Sequence, residues 1–121
     1  MNIKKYVALT LLTLVTSGFA ESIPIYDADC THEASSITPY KLKELSAKNP
    51  EMKHFHDQAT RVVYFINRGL ANPSQPRIRV DLAVQHFVEE ANATRSQGSY
   101  DQQQQMDEVV CPVVAMYTTM R

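Results

Sequence analysis

Apolar residues in the middle of the chain recur at helical spacing. Met52, Phe55, Ala59, Val62 and Ile66 follow one another at intervals of three and four, which is one stripe on a 3.6-residue helix. Asn49-Pro50-Glu51 stands in front of the stripe as a start signal, with a proline and an acid in the first turn. Gly69 fits the left-handed position just past a helix end, where Leu70 would pack back on Phe65. The pattern predicts a helix over Pro50–Arg68. Upstream, Thr38-Pro39 gives the same kind of start, and the good helix formers of YKLKELSAK follow, with Leu42 and Leu45 one turn apart.

The next segment carries two periods at once. Ile78, Val80, Leu82 and Val84 alternate as in a strand, whereas Val80, Val84, Phe87 and Ala91 form a helical stripe with Ala83 and Val88 beside it. Its length, the run Glu89-Glu90-Ala91 and the closing Gly98 favour one helix from about Arg77 to Arg95. Ile78 and Leu82 fall on the side opposite Phe87, so this helix is apolar on two faces and is expected to be the central one, packed on both sides.

Ser99 and Gln102 have capping-box spacing at the start of a last helix. The glutamines Gln102–Gln105 read as its solvated first turn, leading into Met106, Val109, Val110, Val113 and Tyr117. Pro112 removes a backbone donor and is expected to interrupt this helix and kink it beyond Cys111. The predicted fold is all-α: a small bundle of three to four helices in one domain over 21–121, with the extended segment ESIPIYDADC at its start.

The first residues have a different character. MNIKK is a short cationic start, YVALTLLTLV an apolar run of ten, and TSGFA ends with Gly18 and Ala20 three and one positions before a cut. This three-part form predicts a secretory signal peptide over 1–20, cleaved between Ala20 and Glu21. A spanning helix needs about 20 apolar residues, twice this run, and no second long apolar run follows, so no membrane insertion is expected after cleavage. Export makes the cysteines readable. Cys30 and Cys111 have no CxxC or metal-like spacing around them, and two cysteines in an oxidising compartment allow one disulfide. Closing so long a loop contributes roughly 4–5 kcal/mol in the chain-entropy account.

Charge and candidate chemistry then narrow the function. The chain carries 12 Lys and Arg against 13 Asp and Glu, and loss of Lys4 and Lys5 with the leader moves the formal charge from −1 to −3. A mildly acidic domain is a poor partner for a phosphate backbone, so nucleic acid is not expected. His54 and His56 lie about 200° apart on a helix and cannot share an ion there. No metal-ligand spacing, nucleophile elbow, HExxH or phosphate-cradling glycine loop occurs, and no cofactor is indicated. The densest titratable cluster is Asp27, Asp29, His32 and Glu33, in a segment that reads as a solvated loop. The sequon Asn92-Ala93-Thr94 falls inside a predicted helix.

A surface is the stronger candidate. Opposite the apolar stripe of the Pro50–Arg68 helix, Asp57, Arg61, Tyr64 and Arg68 follow one another at spacings of four, three and four. Asp57 can pair with Arg61, and Tyr64 can stack with either arginine. Tyr and Arg are the types enriched at binding hot spots, so Arg61, Tyr64 and Arg68 are the candidate partner-binding residues. The leading expectation is an exported, non-enzymatic helical protein, periplasmic or secreted, that binds another envelope or secreted protein as an inhibitor or immunity protein does. A second is an envelope-stress chaperone that exposes apolar surface on acidification, a class similar to this chain in architecture (one disulfide, a few helices, about a hundred residues) without a shared motif. A third is a small hydrolase using the Asp27–Glu33 cluster and a histidine from elsewhere.

Overall fold

In a computed structural model of the chain, residues 23–72, 74 and 76–120 are described. The predicted leader 1–20 and its cleavage point lie outside them. The described residues form four helices: α1 (Pro39–Lys48), α2 (Lys53–Ala71), α3 (Arg77–Arg95) and α4 (Tyr100–Met120), with a single 3-10 turn at Pro50–Met52. The fold is an all-α bundle with an extended N-terminal strap, tied by the Cys30–Cys111 disulfide, whose Cα atoms are 5.5 Å apart across a sequence separation of 81.

Capping chemistry sets the helix starts. Lys41 N–H donates to Thr38 Oγ1 at 3.1 Å, satisfying one of the free donors of α1, and Pro39 occupies its first turn. Asn49 departs from expectation. Its N–H and its Nδ2 both donate to the Leu45 carbonyl, at 2.9 and 3.4 Å, so it closes α1 instead of opening the next helix. Pro50 then begins only a 3-10 turn, and α2 starts at Lys53 and not at Pro50. At the start of α4, Gln102 N–H donates to Ser99 Oγ at 3.2 Å, which is the Ser99 half of the anticipated capping box.

The end of α2 also differs. The helix runs through Gly69 to Ala71, and no described glycine has a positive φ. Gly69 is therefore not a left-handed cap, and a Cβ there would closely meet only the far end of the Met120 side chain, which can swing aside. Leu70 stays 49 % exposed instead of packing back on Phe65.

The central helix is α2, not α3. It packs against α1, α3 and α4, with His56, Ala59, Val62, Val63 and Ile66 buried. Helix α3 has the predicted span but buries one face, through Val80, Val84, Phe87, Val88 and Ala91. Its other apolar positions, Ile78 and Leu82, remain 45 % and 49 % exposed. Helix α4 continues across Pro112 without interruption. A proline inside a helix costs about 3 kcal/mol. Fully burying a valine returns roughly 1.5–3 kcal/mol, and Val109, Val110 and Val113, on both sides of the proline, are all completely buried. Packing therefore outweighs the lost hydrogen bond.

The strap is held by more than the disulfide. Tyr26 and Ile37 enter the same apolar cluster as the helices. Asn92 of α3 clips the strap backbone with both ends of its carboxamide. Its Oδ1 accepts from Asp27 N–H at 2.9 Å, and its Nδ2 donates to the Ile25 carbonyl at 3.0 Å. The side chain thus stands in for a neighbouring strand, which satisfies extended backbone that has no sheet to join. The sequon asparagine has a structural role.

Candidate functional site

The outer ridge of α2 carries the residues singled out from sequence. Tyr64 is 55 % exposed, and Arg61 and Arg68 are exposed beside it. Asp57 does not pair with Arg61. Its Oδ2 accepts from Lys53 Nζ at 2.8 Å, one turn back on the same helix. The Lys53 hydrogen bond is the main cause that holds the Asp57 carboxyl below the usual carboxylate range; burial opposes it, and the charges of Lys53, Arg61 and His54 add to the lowering. Arg61 acts on Asp57 through its charge alone. Neither Arg61 nor Arg68 makes an ion pair or hydrogen bond among the described residues. Tyr64 does not stack with either arginine: the cation–π contact among the described residues is Arg95 over the Tyr26 ring, at 5.9 Å.

Two depressions flank this ridge. On the α1 side lies a groove of about 460 Å³ whose walls include Tyr40, Lys43, Ser46, Lys53, Asp57 and Tyr64. On the α3 side Arg61 borders a smaller hollow of about 150 Å³ with Phe65, His86 and Glu90. Under the α1–α2 seam lies His56, buried, with Ser46 Oγ 3.0 Å from its Nδ1. Burial lowers its pKa below the ordinary value of 6.5, more than the charges of Asp57 and Glu51 raise it.

Of the titratable side chains in the Asp27–Glu33 cluster, only the Asp29 carboxylate has a hydrogen bond among the described residues. Asp29 Oδ1 accepts from Thr31 N–H at 3.1 Å, a turn that lowers the pKa of its carboxyl, and Glu33 N–H donates to the Cys30 carbonyl at 3.2 Å. Asp27 and His32 point into solvent. His54 is exposed, and no group of three His, Cys, Asp or Glu among the described residues is arranged to hold a metal ion.

Several polar residues that matter to the structure carried no pattern in the sequence. Asp107 accepts from Tyr26 Oη at 2.6 Å and takes both arms of Arg95, at 2.8 and 3.0 Å. Burial of Tyr26 is the main cause that pushes its phenol well above 10, and the Asp107 hydrogen bond adds to it. Asp81, buried on α3, accepts from the Tyr117 hydroxyl of α4. Acids such as the buried Asp81 and the partly buried Asp107 are legible only once their partners are in place, since the partner decides whether the site tolerates the charge. Asn92 had a signal, a polar amide in the second half of a helix, which the sequon disguised. Comparison with protein-family models, with curated proteins and with solved structures gave no match.

Proposed function

We propose that this is an exported helical protein that acts by binding another envelope or secreted protein, in the manner of an inhibitor or immunity factor, without catalysis of its own. The observation that carries the proposal is the α2 ridge. Two arginines without an ion-pair partner among the described residues and a half-exposed tyrosine stand together on the helix that packs against the three other described helices. Tyr and Arg on a rigid element, outside the core, are the composition of a hot spot. The disulfide supports an oxidising destination, and no described helix is long and apolar enough to cross a membrane. Immobilised, oxidised protein is expected to retain a single stoichiometric partner. Arg61→Glu with Arg68→Glu is expected to weaken that complex at least tenfold with the fold intact, since reversed charges turn attraction into repulsion. Unchanged affinity in the double variant removes the ridge from the interface.

The buried His56 favours a second reading, an acid-responsive chaperone. Its folded-state pKa lies below 6.5, so the unfolded chain binds the proton first. Its contribution to stability is present above pH 6.5 and is lost as pH falls through and below that value. Denaturant midpoints are expected to decline from pH 7.5 to pH 5.5, and the slope is expected to flatten in His56→Gln. A slope unaltered by that substitution, or an acidified protein that binds no apolar dye, ends the chaperone reading.

A further inference from the structure

The charge of this chain is sorted by helix. Residues 39–71, which hold α1 and α2, carry six Lys and Arg against three Asp and Glu, while residues 77–120, which hold α3 and α4, carry three against six. The strap 23–38 has three acids and no Lys or Arg. The groove between α1 and α2 belongs to this net-basic half of the sequence, and its own charged lining is Lys43 and Lys53 against Asp57. Two of the three acids in 39–71 are already engaged: Glu44 faces Lys41 at 3.9 Å and Asp57 faces Lys53 at 2.8 Å. Lys43, on the groove wall, has no ion-pair partner among the described residues. Tyr40, 72 % exposed, stands on one wall and Tyr64, 55 % exposed, on the other.

We infer that the α1–α2 groove receives a short acidic segment of the partner protein, with carboxylates on Lys43 and Lys53 and an apolar or aromatic side chain between Tyr40 and Tyr64. This rests on the protein-binding reading above and extends it from the arginine ridge into the groove beside it. The groove volume, about 460 Å³, lies within the range of roughly 300–1,000 Å³ found for ligand sites. Tyrosine gives large contact area at small entropic cost, so two exposed rings on facing walls suit an anchor residue. Asp57 already places a carboxylate on Lys53, and an incoming carboxylate would take over that position. Asp57 therefore competes with the ligand, which gives the inference a gain-of-affinity test.

The test is an amide-resolved NMR titration of the whole oxidised protein with three probes. One is a ten-residue Glu/Asp peptide containing one Phe and one Leu. The second is its Gln/Asn counterpart, and the third is a short oligothymidylate, which supplies phosphates without carboxylates. The acidic peptide is expected to shift amides around Tyr40, Ser46 and Tyr64 saturably, and to weaken with added salt. Lys43→Glu with Lys53→Glu is expected to abolish the shifts, and Asp57→Asn to tighten binding about two- to fivefold, the range of an exposed ion pair. Equal shifts with the Gln/Asn peptide, shifts elsewhere on the molecule, or no tightening in Asp57→Asn overturn the inference. Stronger shifts with oligothymidylate replace it with a phosphate site. Shifts that grow with protein concentration alone replace it with the acidic side of a second copy. A captured partner that the Lys43→Glu, Lys53→Glu variant still retains ends the groove inference and leaves the protein-binding reading standing. Absence of any partner for the unaltered chain ends that reading instead.

Discussion

Opening the Cys30–Cys111 bridge is expected to lower folding stability by about 2–5 kcal/mol, the loss seen when a native disulfide leaves a small exported domain. In a domain of this size that is a fall in Tm of roughly 8–40 °C. The physical cause is the length of the closed loop. With a sequence separation of 81 between the cysteines, the cross-link removes a large share of the conformations open to the unfolded chain. It also sits where the strap meets α4, with Cys111 only 3 % exposed. The clean variant is Cys30→Ala with Cys111→Ala, because serine at the buried position would add an unsatisfied hydroxyl with a cost of its own. Urea denaturation of that variant should match the reduced parent protein. A variant within about 1 kcal/mol of the oxidised parent contradicts the staple, since it falls well below the range for such a loop.

The second large effect is expected at Asp107. Its side chain is 14 % exposed and that of Arg95 is 21 % exposed, so the pair is largely withdrawn from water. Asp107→Ala leaves a guanidinium without its two-pronged partner and the buried Tyr26 hydroxyl without an acceptor. A loss of about 2–4 kcal/mol is expected, below the full penalty for breaking a deeply buried pair because some solvent reaches this one. Asp107→Asn keeps an acceptor for Tyr26 and should cost about half as much. Burial opposes ionisation of Asp107, but the hydrogen bonds from Arg95 and Tyr26 and the Arg95 charge outweigh it and hold its pKa below 3.8. The Asp107 contribution is therefore present above pH 3.8 and is lost as pH falls below it, so parent and Asp107→Ala should converge in strong acid. At the other end, the raised Tyr26 pKa keeps that contribution intact below pH 10 and removes it as pH rises further. Parallel stability curves for the parent and Asp107→Ala from pH 7 to pH 2 contradict this account.

The parts of this fold that were legible share one property: the signal is local and repeated. The Arg77–Arg95 span of α3 and the Thr38 cap could be read because period and capping residues act within a few positions. The disulfide could be read because a chain with two cysteines offers one intramolecular pairing. The misreadings arose where one residue serves two uses. Asn49-Pro50 looks like a helix start, but Asn49 has an orphaned carbonyl of α1 to satisfy first. Gly69 looks like a cap, yet the helix continues through it to Ala71. Ile78 and Leu82 make α3 apolar on two faces, but the second face stays half-exposed, with no described helix packed over it. For the candidate surface, sequence spacing placed Arg61, Tyr64 and Arg68 on one exposed ridge, while the pairing of Asp57 with Lys53 required the lysine one turn back to be weighed against Arg61. The groove with Tyr40 was out of reach, because nothing local to α1 says which side of α2 it covers.

The most direct measurement is affinity capture with oxidised chain 21–121 from an envelope extract of the producing cell, at neutral and at acidic pH, with mass spectrometry of what is retained. One stoichiometric partner at neutral pH is the predicted result, and the partner's own activity then names the process. An empty capture at both pH values, or a broad set of clients retained only in acid, contradicts the central claim.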